Sequence, residues 1–194
     1  MANVLPAQNS NIDPAVPDFP SDPENKFIFI TCMDSRIDPA RIFGDRWPGP
    51  GRVHVLRNAG GRTPETLRSI LVSQNVVQPN SRQIWVMHHT KCGMLGVSND
   101  RLREIISEQR PDHVRTVGAM YFAPLKGEVK NEEPVTEPPS REQVVQALRN
   151  DIEFLKEQLV VRQDRFVGLV YDVDSNKVEL VYDSAPNSKS GTSE

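Results

Sequence analysis

Three short apolar segments with helical patterns between them constrain the fold of this chain more than any other feature. FIFITC (27–32), VHVLR (53–57) and QIWVMHH (83–89) are rich in the aliphatic and aromatic residues that favour β-strands. The first is apolar almost throughout, which is typical of a strand covered on both faces. Strands that alternate with helices predict a central, mostly parallel sheet flanked by helices, so we expect an α/β fold in a single domain.

The residues around these segments carry signals for helices and for one hairpin. Helix starts are predicted at Thr63 followed by Pro64, at Ser98, and at Ser140, which forms a capping box with Gln143. Apolar residues then recur at helical spacing after two of these starts, at Leu67, Ile70 and Leu71, and at Val144, Val145, Leu148, Ile152 and Leu155. FVGLVYDV and KVELVYD flank residues 174–176, which predicts a β-hairpin, and a further strand is predicted at about 116–122.

The chain divides into an arm, a domain and a tail. Residues 1–25 contain five prolines with polar spacers, and we predict an extended arm there because proline interrupts helices and sheets. Residues 26–183 form the folded domain. From residue 184 the sequence is small and polar, which predicts a disordered tail over 184–194.

Composition excludes several classes of protein. The net charge of −3 offers no basic surface, so we expect neither nucleic acid nor a membrane as a partner. No apolar run approaches the roughly 20 residues of a membrane helix, and the first 25 residues show no secretory signal. The two cysteines, Cys32 and Cys92, are too few for a secreted protein stabilised by disulfides. We therefore expect a cytoplasmic protein whose thiols are free or bound to a metal.

Three side chains with metal-binding chemistry are predicted to meet at one edge of the sheet. Cys32 ends the first strand and His89 ends the third, and ligands of such sheets lie beyond the carboxyl ends of the strands. Cys92 follows His89 by three residues across a tight turn. Two thiolates and one imidazole form a three-ligand zinc site whose fourth position stays open for water, as catalytic rather than structural sites require.

The C-x-D-x-R pattern at 32–36 adds a carboxylate and a guanidinium. Side chains alternate along an extended strand, so Asp34 and Arg36 are expected on the same side as Cys32. Two thiolates cancel the charge of Zn²⁺, so a carboxylate that accepts a hydrogen bond from the bound water compensates for its weaker acidification. Arg36 would hold Asp34 through a charge-assisted fork and keep the carboxylate from occupying the open position itself.

Each of these residues also has a structural interpretation. A cysteine that ends a strand is often a buried core residue, Asp34 could cap the following turn, and Arg36 could be a solvated charge. Cys32 and Cys92 could also form a redox pair without a metal. The remaining histidines, His54, His88 and His113, are expected to be structural, Trp47 and Trp85 to lie in the core, and Asn58–Gly61 to provide close packing near the site.

Taken together, the motifs at 32–36, 57–60 (RNAG) and 89–93 (HTKCG) resemble those of the β-class carbonic anhydrases. The resemblance implies zinc as the cofactor, with Cys32, His89 and Cys92 as metal ligands and Asp34 and Arg36 as the catalytic dyad. It also implies a homodimer or higher homo-oligomer, in which the amino-terminal arm often lies across the partner.

The expected activity is the reversible hydration of carbon dioxide to bicarbonate by zinc-bound hydroxide. The chain lacks the long helical amino-terminal region of many members and carries His88 where many have glycine. In these two traits it resembles a short branch of the family. Some members of that branch hydrolyse carbonyl sulfide or carbon disulfide, so this activity is the alternative. A catalytically inactive zinc scaffold or a redox sensor is the alternative of another class.

Overall fold

A computed structural model describes residues 11–22, 26–77, 83–109, 137–162 and 165–185. The elements in chain order are β1 Phe27–Cys32, α1 Pro39–Phe43, β2 Val53–Asn58, α2 Leu67–Val72, β3 Gln83–His89, α3 Asn99–Gln109, α4 Arg141–Glu157, β4 Arg165–Asp172 and β5 Lys177–Asp183. The predicted strand at about 116–122, His113, and most of the predicted tail lie outside the described residues. Among the described helices, none is long and apolar enough to cross a bilayer.

The strands form one sheet in the order β2-β1-β3-β4-β5. β2, β1, β3 and β4 run parallel, and β5 pairs with β4 antiparallel as the second strand of the predicted hairpin. The α/β prediction is therefore confirmed. Because β1 lies between β2 and β3, its carboxyl end and that of β3 are neighbours at the edge where the candidate ligands lie.

The central strands of the sheet are buried on both faces, which explains the continuous apolar run of β1. Alternate residues of β1 point to opposite layers, so that Phe27 and Phe29 pack with Trp85 and α1, whereas Ile28 and Ile30 pack with α2 and α4. Trp85 is fully buried, and Trp47 is partly buried against the same layer, as expected of core residues.

Residues 11–22 pack against their own chain. Ile12 forms a β-bridge with Val178 of β5, and Val16 is buried. The Phe19 ring lies 4.6 Å from that of Trp85 and 5.3 Å from that of Phe27. This segment therefore completes the aromatic layer on one face of the sheet.

Two of the three predicted helix caps are confirmed. The Arg101 amide donates to Ser98 Oγ at 3.1 Å, and Ser140 forms the predicted capping box with Gln143. The cap predicted at Thr63 is wrong, because its hydroxyl donates to Asp151 in α4 instead. The chain enters α2 through a 3₁₀ turn over Pro64–Thr66, with Pro64 at the first position, where its missing N–H is not needed.

Candidate metal centre

The candidate metal centre is built at the ends of two adjacent parallel strands. Cys32 is the last residue of β1 and His89 the last of β3, and both are almost completely buried. Cys92 returns to them after a tight turn in which Lys91 adopts a left-handed backbone with φ of 54°. One donor atom from each of these three residues lies within 4.8 Å of the other two. The structure therefore brings together the three residues that the sequence singled out as metal ligands.

The spacing of the two sulfur atoms fits a tetrahedral ion. The Cys32 and Cys92 Sγ atoms are 3.7 Å apart, and both thiols are free. Two Zn–S bonds of about 2.3 Å at a tetrahedral angle place their sulfurs about 3.8 Å apart. The donor set and its spacing therefore both suit zinc.

The imidazole of His89 is oriented to offer one nitrogen to an ion. Its Nδ1 lies 2.9 Å from the Thr90 carbonyl oxygen, which can only accept, so Nδ1 carries the proton. Nε2 is then left with a lone pair, and it is buried without a hydrogen-bond partner. A hydrogen bond of this kind on the second nitrogen is typical of metal-bound histidines, because it fixes the tautomer and the ring orientation.

The two thiols share a negative charge even without an ion. A hydrogen bond from Cys92 lowers the pKa of the Cys32 thiol to about 4. The pKa of Cys92 is raised, first because its thiol hydrogen-bonds Cys32 and further because its own burial disfavours a second thiolate. A bound divalent cation would overcome the raised pKa of Cys92, since a coordinated thiol is deprotonated outright.

Asp34 and Arg36 form a bidentate pair beside the three candidate ligands. Arg36 Nε donates to Asp34 Oδ1 at 3.0 Å, and Arg36 Nη2 donates to Oδ2 at 2.7 Å. These bonds from Arg36 hold the pKa of Asp34 well below its usual range. Asp34 Oδ2 is 3.9 Å from His89 Nε2, so the carboxylate lies next to the position an ion would take. Arg36 Nη2 also donates to the Lys91 carbonyl at 3.1 Å, which ties the pair to the turn that carries Cys92.

Arg57 is a residue of the site to which sequence reasoning gave no role of its own. Its Nε donates to the Cys32 carbonyl at 3.0 Å, and its Nη2 donates to the carbonyls of Asp34 and Ile37, both at 2.8 Å. One guanidinium therefore fixes the backbone path of the whole segment after β1. Its place in the RNAG motif was the only signal available from the sequence.

The glycine-containing turn after β2 lies directly against β1, as the sequence predicted. A Cβ atom at Gly61 would lie 2.8 Å from the backbone nitrogen of Cys32, so only glycine fits there. Gly60 packs less tightly, since a Cβ atom there would lie 3.3 Å from Leu95. Met94 places its sulfur 4.0 Å from Cys32 Sγ, which adds a second apolar side chain next to the candidate ligands.

The two other described histidines have structural surroundings. His88 is buried, with Nε2 3.0 Å from Asp151 Oδ2 on the α4 side of the sheet. His54 Nδ1 is 2.7 Å from Ser73 Oγ, and burial lowers the pKa of its imidazole.

Comparisons with known proteins agree with this geometry. A family model described as carbonic anhydrase matches residues 27–178. Beta-carbonic anhydrase 1 of Mycobacterium tuberculosis is 35% identical over 91 residues, which are 46% of this chain and 53% of that protein. A carbon disulfide hydrolase of Acidithiobacillus thiooxidans is 31% identical over 87 residues, 43% of this chain and 39% of that protein. The chain thus spans about half or less of the length of these curated relatives. Among solved structures, a carbonic anhydrase from Glaciozyma antarctica is similar with a TM-score of 0.62 and 27% identity, over 84% of this chain and 85% of that one.

Proposed function

Because the chain belongs to the β-carbonic anhydrase family, we propose that it is a zinc enzyme that hydrates carbon dioxide reversibly to bicarbonate. The observation that carries this proposal is the convergence of Cys32, His89 and Cys92 beside the bidentate Asp34–Arg36 pair. A structural ion has no use for an adjacent ion pair of this kind, whereas a catalytic water does.

In this proposal the three candidate ligands hold the ion, and the pair prepares the water. Zinc bound there supplies a Lewis acid that makes a coordinated water acidic near neutral pH. The two thiolates would balance the charge of a bound ion, and the hydrogen bond from His89 Nδ1 to the Thr90 carbonyl would keep Nε2 directed at it. Asp34 would accept a hydrogen bond from the attacking water and orient it toward the substrate carbon. Arg36 holds the carboxylate 3.9 Å from His89 Nε2 and would keep it from becoming a ligand itself.

The apolar side chains around the site suit a small linear substrate. Met94 lies against the Cys32 sulfur, and Leu95 packs on Gly60. Carbon dioxide carries no charge and enters an apolar slot without losing strong hydrogen bonds to water. Attack on its carbon gives bicarbonate and one proton, which leaves to buffer.

Hydrolysis of carbonyl sulfide or carbon disulfide is the second candidate. The match to a carbon disulfide hydrolase favours it, and the same attack on carbonyl sulfide gives thiocarbonate, which breaks down to carbon dioxide and hydrogen sulfide. The shape of the pocket, not the metal step, would decide between these substrates.

We further propose that the protein is a cytoplasmic homodimer or higher homo-oligomer. Two thiols that form no disulfide at the candidate site suit a reducing compartment. The outer edge of β2 is unpaired in the described sheet, and Val55 on this strand is exposed, which leaves a surface that a second copy could cover. Light scattering on purified protein tests the oligomeric state, and a monomer at micromolar concentration would contradict this part of the proposal.

A parallel assay of zinc-loaded protein tests the activity. Acidification on mixing with carbon dioxide and sulfide release from carbonyl sulfide or carbon disulfide are measured on one preparation, with Asp34→Asn as the matched control. We expect rapid acidification that is lost in the control. Sulfide release without acidification would favour the second candidate. A zinc-loaded protein that is inactive on every substrate would favour the inactive zinc scaffold instead. A metal-free protein with a Cys32–Cys92 disulfide would favour the redox sensor.

A further inference from the structure

One buried carboxylate, that of Asp151, has no role in the proposed mechanism. Asp151 is 1% exposed and lies on the same face of α4 as the buried apolar residues Leu148 and Ile152. A charge in such surroundings is costly unless it is paired and hydrogen-bonded. The partners of Asp151 therefore indicate what this residue does.

These partners come from two segments that lead to the candidate metal centre. Arg62 Nε donates to both carboxylate oxygens of Asp151, at 3.1 and 2.8 Å. The Thr63 hydroxyl donates to the Asp151 carbonyl at 2.8 Å and lies 3.2 Å from Oδ1. On the other side, His88 Nε2 is 3.0 Å from Oδ2. Arg62 and Thr63 belong to the turn after β2, and His88 directly precedes the candidate ligand His89 in β3.

The turn that Arg62 closes lies directly on Cys32. Asn58 Oδ1 accepts from the Arg62 amide and Asn58 Nδ2 donates to the Arg62 carbonyl, both at 2.7 Å, so residues 58–62 form a closed ring. Within this ring, Gly61 abuts the Cys32 backbone. The Gly60 backbone also hydrogen-bonds the Cys32 sulfur. The position of Arg62 therefore decides where two glycines meet a candidate ligand.

A role in stability alone accounts less well for the cluster. A buried arginine–carboxylate pair is often no more stabilising than apolar residues of the same volume. What the ion pair adds is direction, because the N–H groups of a planar guanidinium point in fixed directions, and Arg62 Nε is shared between both carboxylate oxygens.

We propose that Asp151 is a positioning residue, which through Arg62 and the ring 58–62 holds Gly60 and Gly61 against Cys32 and so sets the Cys32 sulfur for metal binding. The inference rests on the proposed metal centre but not on the identity of the substrate. Residues around metal ligands commonly change metal affinity or activity by about 10- to 100-fold when they are replaced.

The test compares zinc binding by the wild type and Asp151→Asn, measured by competition with a chromophoric chelator. We expect the variant to keep its far-ultraviolet circular dichroism and to bind zinc about 10- to 100-fold more weakly. After cobalt(II) substitution, its thiolate-to-metal absorption band should shift. The matched control is Asp183→Asn, which also breaks an arginine–carboxylate pair, with Arg165, at the amino end of β4 far from the site. Wild-type zinc affinity in folded Asp151→Asn would overturn the proposal.

A double variant decides the matter if Asp151→Asn does not fold. Arg62→Met with Asp151→Leu removes both buried charges together, so we expect it to fold and still to bind zinc weakly. Recovery of wild-type zinc affinity in this variant would show that the pair is only structural. Zinc binding is measured without substrate, so the two proposals can fail separately. If the wild type is active but the variants bind zinc as tightly as the wild type, only the role of Asp151 is overturned. An inactive wild type with weakened variants overturns the proposed activity alone.

Discussion

Replacing Gly61 by alanine tests how tightly the turn after β2 is packed against the candidate metal centre. Gly61 has a φ of +69°, and an alanine Cβ would lie 2.8 Å from both the Cys32 nitrogen and the Thr31 carbonyl carbon. Both of these atoms belong to the backbone of the central strand β1. Neither can move aside without shifting that strand, so we expect Gly61→Ala to displace Cys32 and to destabilise the fold.

The expected loss has two parts. A left-handed backbone costs a residue with a Cβ roughly 1–2 kcal/mol, and overpacking a filled interior costs about 1–3 kcal/mol more. We therefore expect Gly61→Ala to lower the free energy of unfolding by about 2–5 kcal/mol, less a gain of about 0.4–1 kcal/mol from the stiffer unfolded chain. Zinc affinity should fall as well, because one of the two candidate sulfur ligands moves.

Gly51→Ala is the matched control. Gly51 has a similar φ of +78°, but no atom lies within 4 Å of the position of an added Cβ. Both the backbone penalty and the change in the unfolded chain are therefore shared, and the difference between the two variants isolates the packing part, about 1–3 kcal/mol. Equilibrium urea unfolding of the reduced, metal-free proteins measures it from the midpoints, provided that the slopes agree. Equal midpoints for the two variants would refute the close packing of Gly61 on β1.

Three further predictions concern the ion pairs and the ligands. Arg36→Ala should retain most of its zinc yet lose about 10²-fold or more in kcat/KM, because it frees Asp34. Arg36→Lys should show an intermediate loss, since lysine keeps the charge but not the two parallel hydrogen bonds. Near wild-type turnover of Arg36→Ala at neutral pH would contradict this. Cys92→Ser should lose its zinc on dialysis, and a fully loaded variant, by metal analysis, would remove Cys92 from the ligand set. Burial alone would raise the pKa of Asp183, but the hydrogen bonds from Arg165 and the Ala185 amide, together with the charge of Arg165, outweigh it and lower the pKa. A lowered pKa contributes stability that is present above about pH 3.9 and lost as the pH falls further. Asp183→Asn should therefore be less stable than the wild type at pH 7 and should lose less stability than the wild type below pH 4. Parallel acid-unfolding curves for the two proteins would contradict this prediction.

Local patterns in the sequence were enough for most of the architecture. The apolar runs of β1 and β3 and the capping box at Ser140 act within a few residues, so their consequences can be read directly. The position of Cys32 and His89 at one edge of the sheet followed from parallel strands and from their places at the strand ends. For the same reason the sequence predicted which three side chains would meet, although their roles as ligands remain a proposal.

The sequence was misleading where a side chain found a distant partner. Thr63 has the residue type and position of a helix cap, but its hydroxyl donates to Asp151, 88 residues later in the chain. Asp151 itself stands within an apolar helical face, and nothing near it in sequence indicates its pairing with Arg62. For Arg57, which donates to three carbonyls after β1, the RNAG motif pointed to the residue but not to these contacts.

The sequence by itself therefore determined the strands, the layer order expected of an α/β sheet and the identity of the candidate metal centre, because these depend on periodicity and on short spacings. Only the tertiary structure decided what surrounds that centre: the arginine that fixes the backbone, the glycine pressed against Cys32 and the buried carboxylate behind them. Those contacts join residues far apart in the chain, and a hydrogen bond depends on distance and direction in space, which no local pattern of residues specifies.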